Sequence, residues 1–195
     1  RSTTALITNR SSQRFGGPRV ATLTAAVSLS DGTVPTGAVE ILQDGVVVAT
    51  LSLTNGSASY TLPADTPAGA HQYTARYADS NTIAGSTSPT RTVTVTKASS
   101  FTILLTNKLV VKRGQQGPKL SAYVVLDSAA TATGTVTFTV DGVVVGTAPV
   151  VNGIATLQLG NTMTVGLHVV RATYSGTASI NGSASNPLPI LVRRS

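Results

Sequence analysis

The stretch Gly37-Ala-Val-Glu-Ile-Leu-Gln-Asp-Gly-Val-Val-Val48 returns 97 residues later as Gly134-Thr-Val-Thr-Phe-Thr-Val-Asp-Gly-Val-Val-Val145. Within each copy an apolar residue at every second position reads as a half-buried strand. The Asp-Gly that follows supplies the two φ > 0 positions of a type I′ hairpin, and three valines open the return strand. The same offset, without a gap, pairs Asn55-Gly56 with Asn152-Gly153, Gly69 with Gly166, His71 with His168, Tyr77 with Tyr174 and Gly85-Ser86 with Gly182-Ser183. A register held that long marks a repeat of domain size. Residues 1–97 and 98–195 are therefore expected as two modules, with a short joint at Thr96-Lys97-Ala98-Ser99 that has no Pro-rich or Gly-rich run.

Alternation outside the quoted stretch places the remaining strands. Leu23, Ala25, Val27 and Leu29 share one face, repeated by Leu120, Ala122, Val124 and Leu126. Ala58, Tyr60 and Leu62 are matched by Ala155, Leu157 and Leu159; His71, Tyr73, Ala75 and Tyr77 share a further face, as do Val93 and Val95. About seven short antiparallel strands per copy, with turn signals every 8 to 12 residues or so, fit an immunoglobulin-like β-sandwich. The fold class is all-β, two such sandwiches in tandem. A single barrel of about 14 strands would not carry the repeat. With no Cys and no Trp, the antibody-type core is excluded, and packing between two aliphatic sheet faces replaces the disulfide.

Composition narrows the function classes. Without cysteine there is no disulfide, thiolate metal site or Cys nucleophile. No apolar run approaches the length of a membrane span and no charged-then-apolar amino terminus is present, so no membrane insertion is expected and the chain reads as a fragment or mature segment. The net charge is +7. Residues 1–97 carry seven Lys and Arg against five Asp and Glu (+2), and residues 98–195 carry seven against two (+5). On this reading the copies differ mainly in charge, an excess that serves solubility or attracts anionic polymers.

The run Pro35-Thr-Gly-Ala-Val-Glu-Ile-Leu-Gln-Asp-Gly45, followed by Ala68-Gly-Ala-His-Gln-Tyr-Thr-Ala-Arg-Tyr77, Ser86-Thr-Ser88 and Val93-Thr-Val95, resembles the bacterial immunoglobulin-like repeats of group 3. The second copy shows the pattern as Thr133-Gly-Thr-Val-Thr-Phe-Thr-Val-Asp-Gly142 and Gly166-Leu-His-Val-Val-Arg-Ala-Thr-Tyr174, so nearly the whole chain is covered. The Gly-Asp that often follows the tyrosine in that family is Ala78-Asp79 here and Ser175-Gly176 in the second copy, which leaves that loop open. The resemblance implies modules strung in series in secreted or surface-attached bacterial proteins, acting as spacers or adhesive segments, and no catalytic residues.

The candidate chemistry is thin. His71 and His168 hold the same repeat position, and a ring that bonds a turn carbonyl accounts for them better than a triad with Asp65 or Asp79, since no nucleophile elbow accompanies them. Asp44 and Asp141 precede Gly in a hairpin, where turn chemistry suffices. A joint whose charged residue is Lys97 does not suit bridging calcium, and no cofactor is expected. There is no Trp, and several of the eight aromatics, such as Tyr77, Phe138 and Tyr174, read as inward, which disfavours a glycan platform. Asn9-Arg-Ser11, Asn55-Gly-Ser57 and Asn181-Gly-Ser183 match the N-glycosylation triplet and are discounted in a bacterial chain.

Arg10, Arg14 and Arg19 fall between the first two strands of the first module. Lys108, Lys112, Arg113 and Lys119 fall in the corresponding segment of the second and are the candidate polyanion-binding residues. Sequence-specific nucleic-acid binding is not indicated. The expectation is a non-catalytic spacer or stalk segment, extracellular or at the cell surface, whose partners are neighbouring modules. Two modules in line would reach on the order of 70–80 Å. The alternatives are an adhesion module binding an anionic cell-wall or host polymer through basic loops, and an accessory domain of a secreted enzyme or phage particle.

Overall fold

A computed structural model describes residues 1–78 and 82–194. The chain forms two compact units, Arg1–Thr96 and Lys97–Ser195. In unit 1 the strands are β1 (Ser2–Thr8), β2 (Ser12–Arg14), β3 (Thr22–Leu29), β4 (Ala38–Gln43), β5 (Val46–Ser52), β6 (Ser57–Thr61), β7 (Gly69–Tyr77), β8 (Ser86–Thr87) and β9 (Arg91–Thr96). They make one sheet in the order β1-β3-β6 and a second in the order β2-β9-β7-β4-β5, with β8 beside β7. Unit 2 repeats the plan with β10 (Ser100–Thr106), β11 (Val110–Lys112), β12 (Lys119–Leu126), β13 (Thr135–Val140), β14 (Val143–Pro149), β15 (Ile154–Gln158), β16 (Gly166–Tyr174), β17 (Ser183–Ala184) and β18 (Leu188–Arg193). Its sheets run β10-β12-β15 and β11-β18-β16-β13-β14.

The alternation in sequence is the alternation in burial. Leu23, Ala25, Val39, Ile41, Ala75 and Val93 of unit 1 are fully buried, as are Leu120, Ala122, Val136, Phe138, Ala172 and Ile190 of unit 2. These residues line the two inner sheet faces, so each unit has a single apolar core between its layers. Asp44 (φ 50°) and Gly45 (φ 85°), and likewise Asp141 (52°) and Gly142 (83°), occupy the left-handed region that the two-residue hairpin requires. Pairing slips between Ile41 and Leu42, and at the same place between Phe138 and Thr139. That bulge sits on an edge strand, and Val46, Val47 and Val48 all stay exposed, as do Val143, Val144 and Val145.

Two features depart from a plain antiparallel reading. The three-residue strand β2 leaves the sheet of β1 and pairs in parallel with the last strand of its unit, Gln13 opposite Val95; β11 does the same, Val111 opposite Val192. Within the β1–β2 segment the offset between copies is also 98, because Ser2 and Ser100 face the equivalent Leu29 and Leu126. The linker after β11 is one residue shorter than the linker after β2, so the repeat has a gap there. Arg10 and Arg14 correspond to Lys108 and Lys112, while Arg113 matches Phe15 and Lys119 matches Thr22. The two basic groups thus coincide at two positions only, and Arg14 lies on a strand rather than in a loop.

Candidate functional site

Backbone bonds that the local sequence encodes gather the basic residues of unit 2 into two sets, Lys108 with Lys119 and Lys112 and Arg113 with Arg193. Asn107 accepts the Lys119 N–H on Oδ1 (2.8 Å), and the Thr106 hydroxyl bonds Lys108 and Lys119 carbonyls (3.2 Å each), so both lysines leave one lock. Asn9 performs the same task for the Thr22 N–H (2.9 Å), which gives this glycosylation-type asparagine a structural role. On the other side, Lys112 lies opposite Arg193 in the parallel pair, and the Arg113 N–H donates to the Arg193 carbonyl (2.9 Å). All four candidates are exposed, and Arg193 and Arg194 beside them are too. Arg193 was missed from sequence because it is 81 residues from Lys112; a parallel terminal pair was the signal needed. In unit 1, Arg10, Arg14 and Arg19 border one depression of about 310 Å³ whose floor includes Gln13, Pro18 and Thr96.

Each histidine bonds the turn carbonyl expected of it. The His71 Nε2 is 2.8 Å from the Pro67 carbonyl, and the His168 Nε2 is 2.8 Å from the Thr164 carbonyl. The aspartates do more than shape their turns. Asp44 accepts the Gln72 N–H (2.9 Å) and Asp141 the Val169 N–H (2.8 Å), and the second carboxylate oxygen of each faces the Nδ1 of its histidine, at 3.3 and 2.6 Å. Reading the aspartates as turn residues alone therefore falls short: the hairpin turn of one strand pair is tied to the neighbouring strand. The backbone N–H bonds first, and the histidines second, hold both carboxyls below their usual range.

The surroundings of the two rings differ. In unit 1 the Gln43 side-chain amide sits 3.0 Å from the His71 Nδ1 and accepts from the Tyr73 hydroxyl (3.0 Å), whose ionisation burial pushes up to about 12. Unit 2 has Val140 and Val170 at those positions. The His168 ring therefore meets two acceptors, and it satisfies both only when each nitrogen carries a proton. The Thr164 carbonyl first, and the Asp141 carboxylate second, raise its pKa above the ordinary imidazole value. The ring forms part of the wall of a cavity of about 400 Å³ with Val140, Leu159 and Met163.

Asp65 is not among the hydrogen-bond partners of either ring, and Asp79 lies outside the described residues. Among the described residues no group of three or more His, Cys, Asp or Glu gathers as metal ligands, and no helix is long and apolar enough to cross a membrane.

Solved structures share this architecture. Over 95% of this chain and 39% of that one, the crystal structure of invasin, a bacterial integrin-binding protein, superposes with a TM-score of 0.60 at 17% identity, a likeness of fold. The chain thus spans well under half the length of that protein. The D0-D1 domain of intimin (21% identity, 98% of this chain and 100% of that, TM-score 0.37) and the fibronectin(III)-like modules of Clostridium thermocellum CbhA (18%, 98% and 95%, TM-score 0.40) are also similar. No curated protein sequence matches the chain. The sequence model described as Bacterial Ig-like domain (group 3) matches residues 6–96 and again residues 106–193. With one match on each unit, covering most of its length, the chain belongs to the bacterial immunoglobulin-like domain family of group 3.

Proposed function

We propose that the chain is a non-catalytic, load-bearing spacer or stalk segment of a secreted or surface-attached bacterial protein, with residues 1–97 and 98–195 as its two modules and neighbouring modules of the same polypeptide as its partners. The observation that carries this reading is the parallel pairing of the second and last strands of each unit, β2 with β9 and β11 with β18. Tension applied through the two ends of a unit pulls such strands in opposite directions along their length. Their hydrogen bonds then bear load together in shear instead of opening one at a time. Beyond the ladder itself, Thr94 N–H to Ser11 carbonyl (2.9 Å) and Phe15 N–H to Thr96 carbonyl (2.9 Å) extend the clamp in unit 1, and Leu191 N–H to Leu109 carbonyl (2.8 Å) in unit 2.

Single-molecule stretching of the chain between handles tests this. Two discrete unfolding events are expected, each releasing on the order of 300 Å of chain at up to ~3.6 Å per residue. Thr94→Pro, which deletes one clamp donor, should lower the force of one event and leave the other unchanged. Extension without discrete events, or an unchanged pair of forces in the variant, refutes the load-bearing reading.

A second reading, adhesion to an anionic cell-wall or host polymer, is favoured by one observation: Lys112 and Arg113 are exposed beside exposed Arg193, in a segment that also carries exposed Lys108 and Lys119. Retention on heparin or teichoic acid that weakens with salt, and is lost when Lys108, Lys112, Arg113 and Lys119 are replaced by Ser, supports it. Retention unchanged by that replacement counts against it.

A further inference from the structure

The outward face of the sheet β10-β12-β15 carries Phe101, Ile103 and Leu105 from β10, Ser121, Tyr123 and Val125 from β12, and Ile154 and Thr156 from β15. Phe101 lies opposite Val125 and Ile103 opposite Tyr123, so the large side chains form cross-strand rows. Phe101 is 68% exposed, and Ile103, Leu105, Tyr123 and Val125 are between 37% and 52% exposed. The matching face of unit 1 is a control within the same chain. Register equates Phe101 with Thr3, Ile103 with Ala5, Leu105 with Ile7, Tyr123 with Ala26 and Val125 with Ser28, so Ile7 is the one large apolar residue there. The same sheet thus folds without these side chains, and the scaffold does not demand them.

We propose that this face is a homodimer interface, and that its occupant is the same face of a second copy of the chain. Area is the first argument. Taking about 150–250 Å² for a whole aromatic side chain, the five exposed residues leave roughly 450 Å² of apolar surface in contact with water, within the size of the largest, often functional, patch on a monomer. With its polar rim, a face of this size burying itself on a copy removes about 1,000–1,200 Å² in total, the low end of specific interfaces.

Self-complementarity is the second argument. Consider a two-fold axis lying between the two faces, across the strands, at the Ile103–Tyr123 row. It sets the β10 strands over one another and the β12 strands over one another, antiparallel. The bulky Phe101–Val125 row of one copy then meets the smaller Leu105–Ser121 row of the other. Lys119, four residues before Tyr123, comes opposite Asp127, which lies just past the end of β12 and whose carboxylate also accepts the Ser99 N–H (2.8 Å), twice per dimer. One surface therefore matches itself in size and in charge, as an isologous contact requires. No charged side chain lies within the rows.

Sedimentation equilibrium of the full chain tests the proposal. The wild type is expected to pass from monomer to dimer at roughly 10–100 µM, as suits an interface of minimum size. Replacing the unit 2 residues by their unit 1 equivalents (Phe101→Thr, Ile103→Ala, Tyr123→Ala, Val125→Ser) should weaken the dimer at least tenfold while the circular dichroism spectrum is retained. The chain has no cysteine, so Tyr123→Cys, on the axis, should be joined to its copy by a short bis-maleimide, and Ala26→Cys, at the same place in unit 1, should not. A wild type that stays monomeric at millimolar concentration overturns the proposal. So does a dimer that survives the fourfold replacement, or cross-linking that is equal at the two cysteines.

Discussion

Gln13 is a buried amide on β2, and its loss gives the sharpest test of how unit 1 is assembled. Its Oε1 accepts the Ala21 N–H (2.8 Å), and its Nε2 donates to the Pro63 carbonyl (3.0 Å). Ala21 is fully buried, whereas Pro63 is exposed and its carbonyl can turn to water. In unit 2 the amide's place is taken by Val111, which faces Val192 as Gln13 faces Val95. The Ala21 position is there Pro118, whose carbonyl accepts the Leu159 N–H as that of Ala21 accepts the Leu62 N–H. Proline has no N–H, so the valine orphans nothing. Gln13→Val nearly conserves volume, and its cost is the orphaned Ala21 donor, about 1–3 kcal/mol. For a domain of this size that lowers the melting temperature by roughly 10 °C, at 4–8 °C per kcal/mol. The double variant Gln13→Val/Ala21→Pro removes both partners at once and should recover most of the loss, a coupling of about 1–2 kcal/mol. Differential scanning calorimetry on the full chain reads the unit 1 transition, with unit 2 as the unchanged reference. A single variant within about 0.5 kcal/mol of wild type, or a double variant as unstable as the single, refutes the reasoning.

Other consequences follow from the same contacts. Raised above 6.5, His168 contributes stability that is complete below that value and fades as pH rises through its folded pKa. Asp141, lowered below 3.8, contributes stability that is complete above that value and fades as pH falls through its own. The destabilisation by His168→Gln should therefore be largest between those two pH values, and the ring's NMR titration midpoint, above 6.5 in the wild type, should fall in Asp141→Asn. Buried Ser88 and Ser185 accept the N–H of fully buried Ala75 and Ala172 (2.9 and 3.0 Å), so either serine changed to Ala should cost its unit about 1–3 kcal/mol in urea unfolding. Gly45 and Gly56 both have positive φ, but a Cβ at Gly45 meets open space while one at Gly56 comes within 2.9 Å of the Val27 carbonyl. Gly56→Ala should lower the unit 1 melting temperature further than Gly45→Ala.

The strands and hairpins were legible because their determinants are local: alternation fixes which face is buried, and Asp-Gly or Asn-Gly fixes the turn. Turn-bonding histidines were legible because position 71 recurs at 168 beside another recurring pair. The Asp–His contact was not, since it joins a turn residue to a strand residue 27 positions on and depends on sheet order. The parallel β2–β9 pair was hidden by shortness, three residues being too few to show a period. Its counterpart β11–β18 concealed Arg193 in the same way, and the 98-residue offset disguised which basic residues correspond. The expectation that the copies differ mainly in charge also falls short. In β10, Phe101, Ile103 and Leu105 alternate with Ser100, Thr102 and Leu104, so alternation by itself would turn the first three inward, whereas the structure buries the more polar side and leaves the three large residues in solvent.

A repeat within one chain separates what the fold needs from what a surface is used for, because both copies meet the same solvent and the same folding demands. Asp44 with His71 and Asp141 with His168, Ser88 and Ser185, and Tyr77 and Tyr174, whose hydroxyls bond the Thr36 and Thr133 carbonyls, are retained at equivalent sites, and each satisfies a buried or turn backbone group. These are scaffold. Gln13 with Ala21 against Val111 with Pro118 is a paired exchange that keeps every buried donor satisfied, and it is scaffold too. The outward residues of β10 and β12 follow neither pattern: they satisfy no polar group, and unit 1 folds with Thr, Ala and Ser in their place. Of the basic residues around Lys112 and Arg193, Lys108 and Lys112 recur as Arg10 and Arg14, whereas Arg113, Lys119 and Arg193 stand where unit 1 has Phe15, Thr22 and Thr96. Function beyond spacing is therefore to be sought on unit 2, in two surfaces of opposite character. Salt separates them in one experiment: it weakens capture of a polyanion by the basic cluster, while self-association through the apolar face loses only the two screened Lys119–Asp127 contacts and keeps its apolar burial.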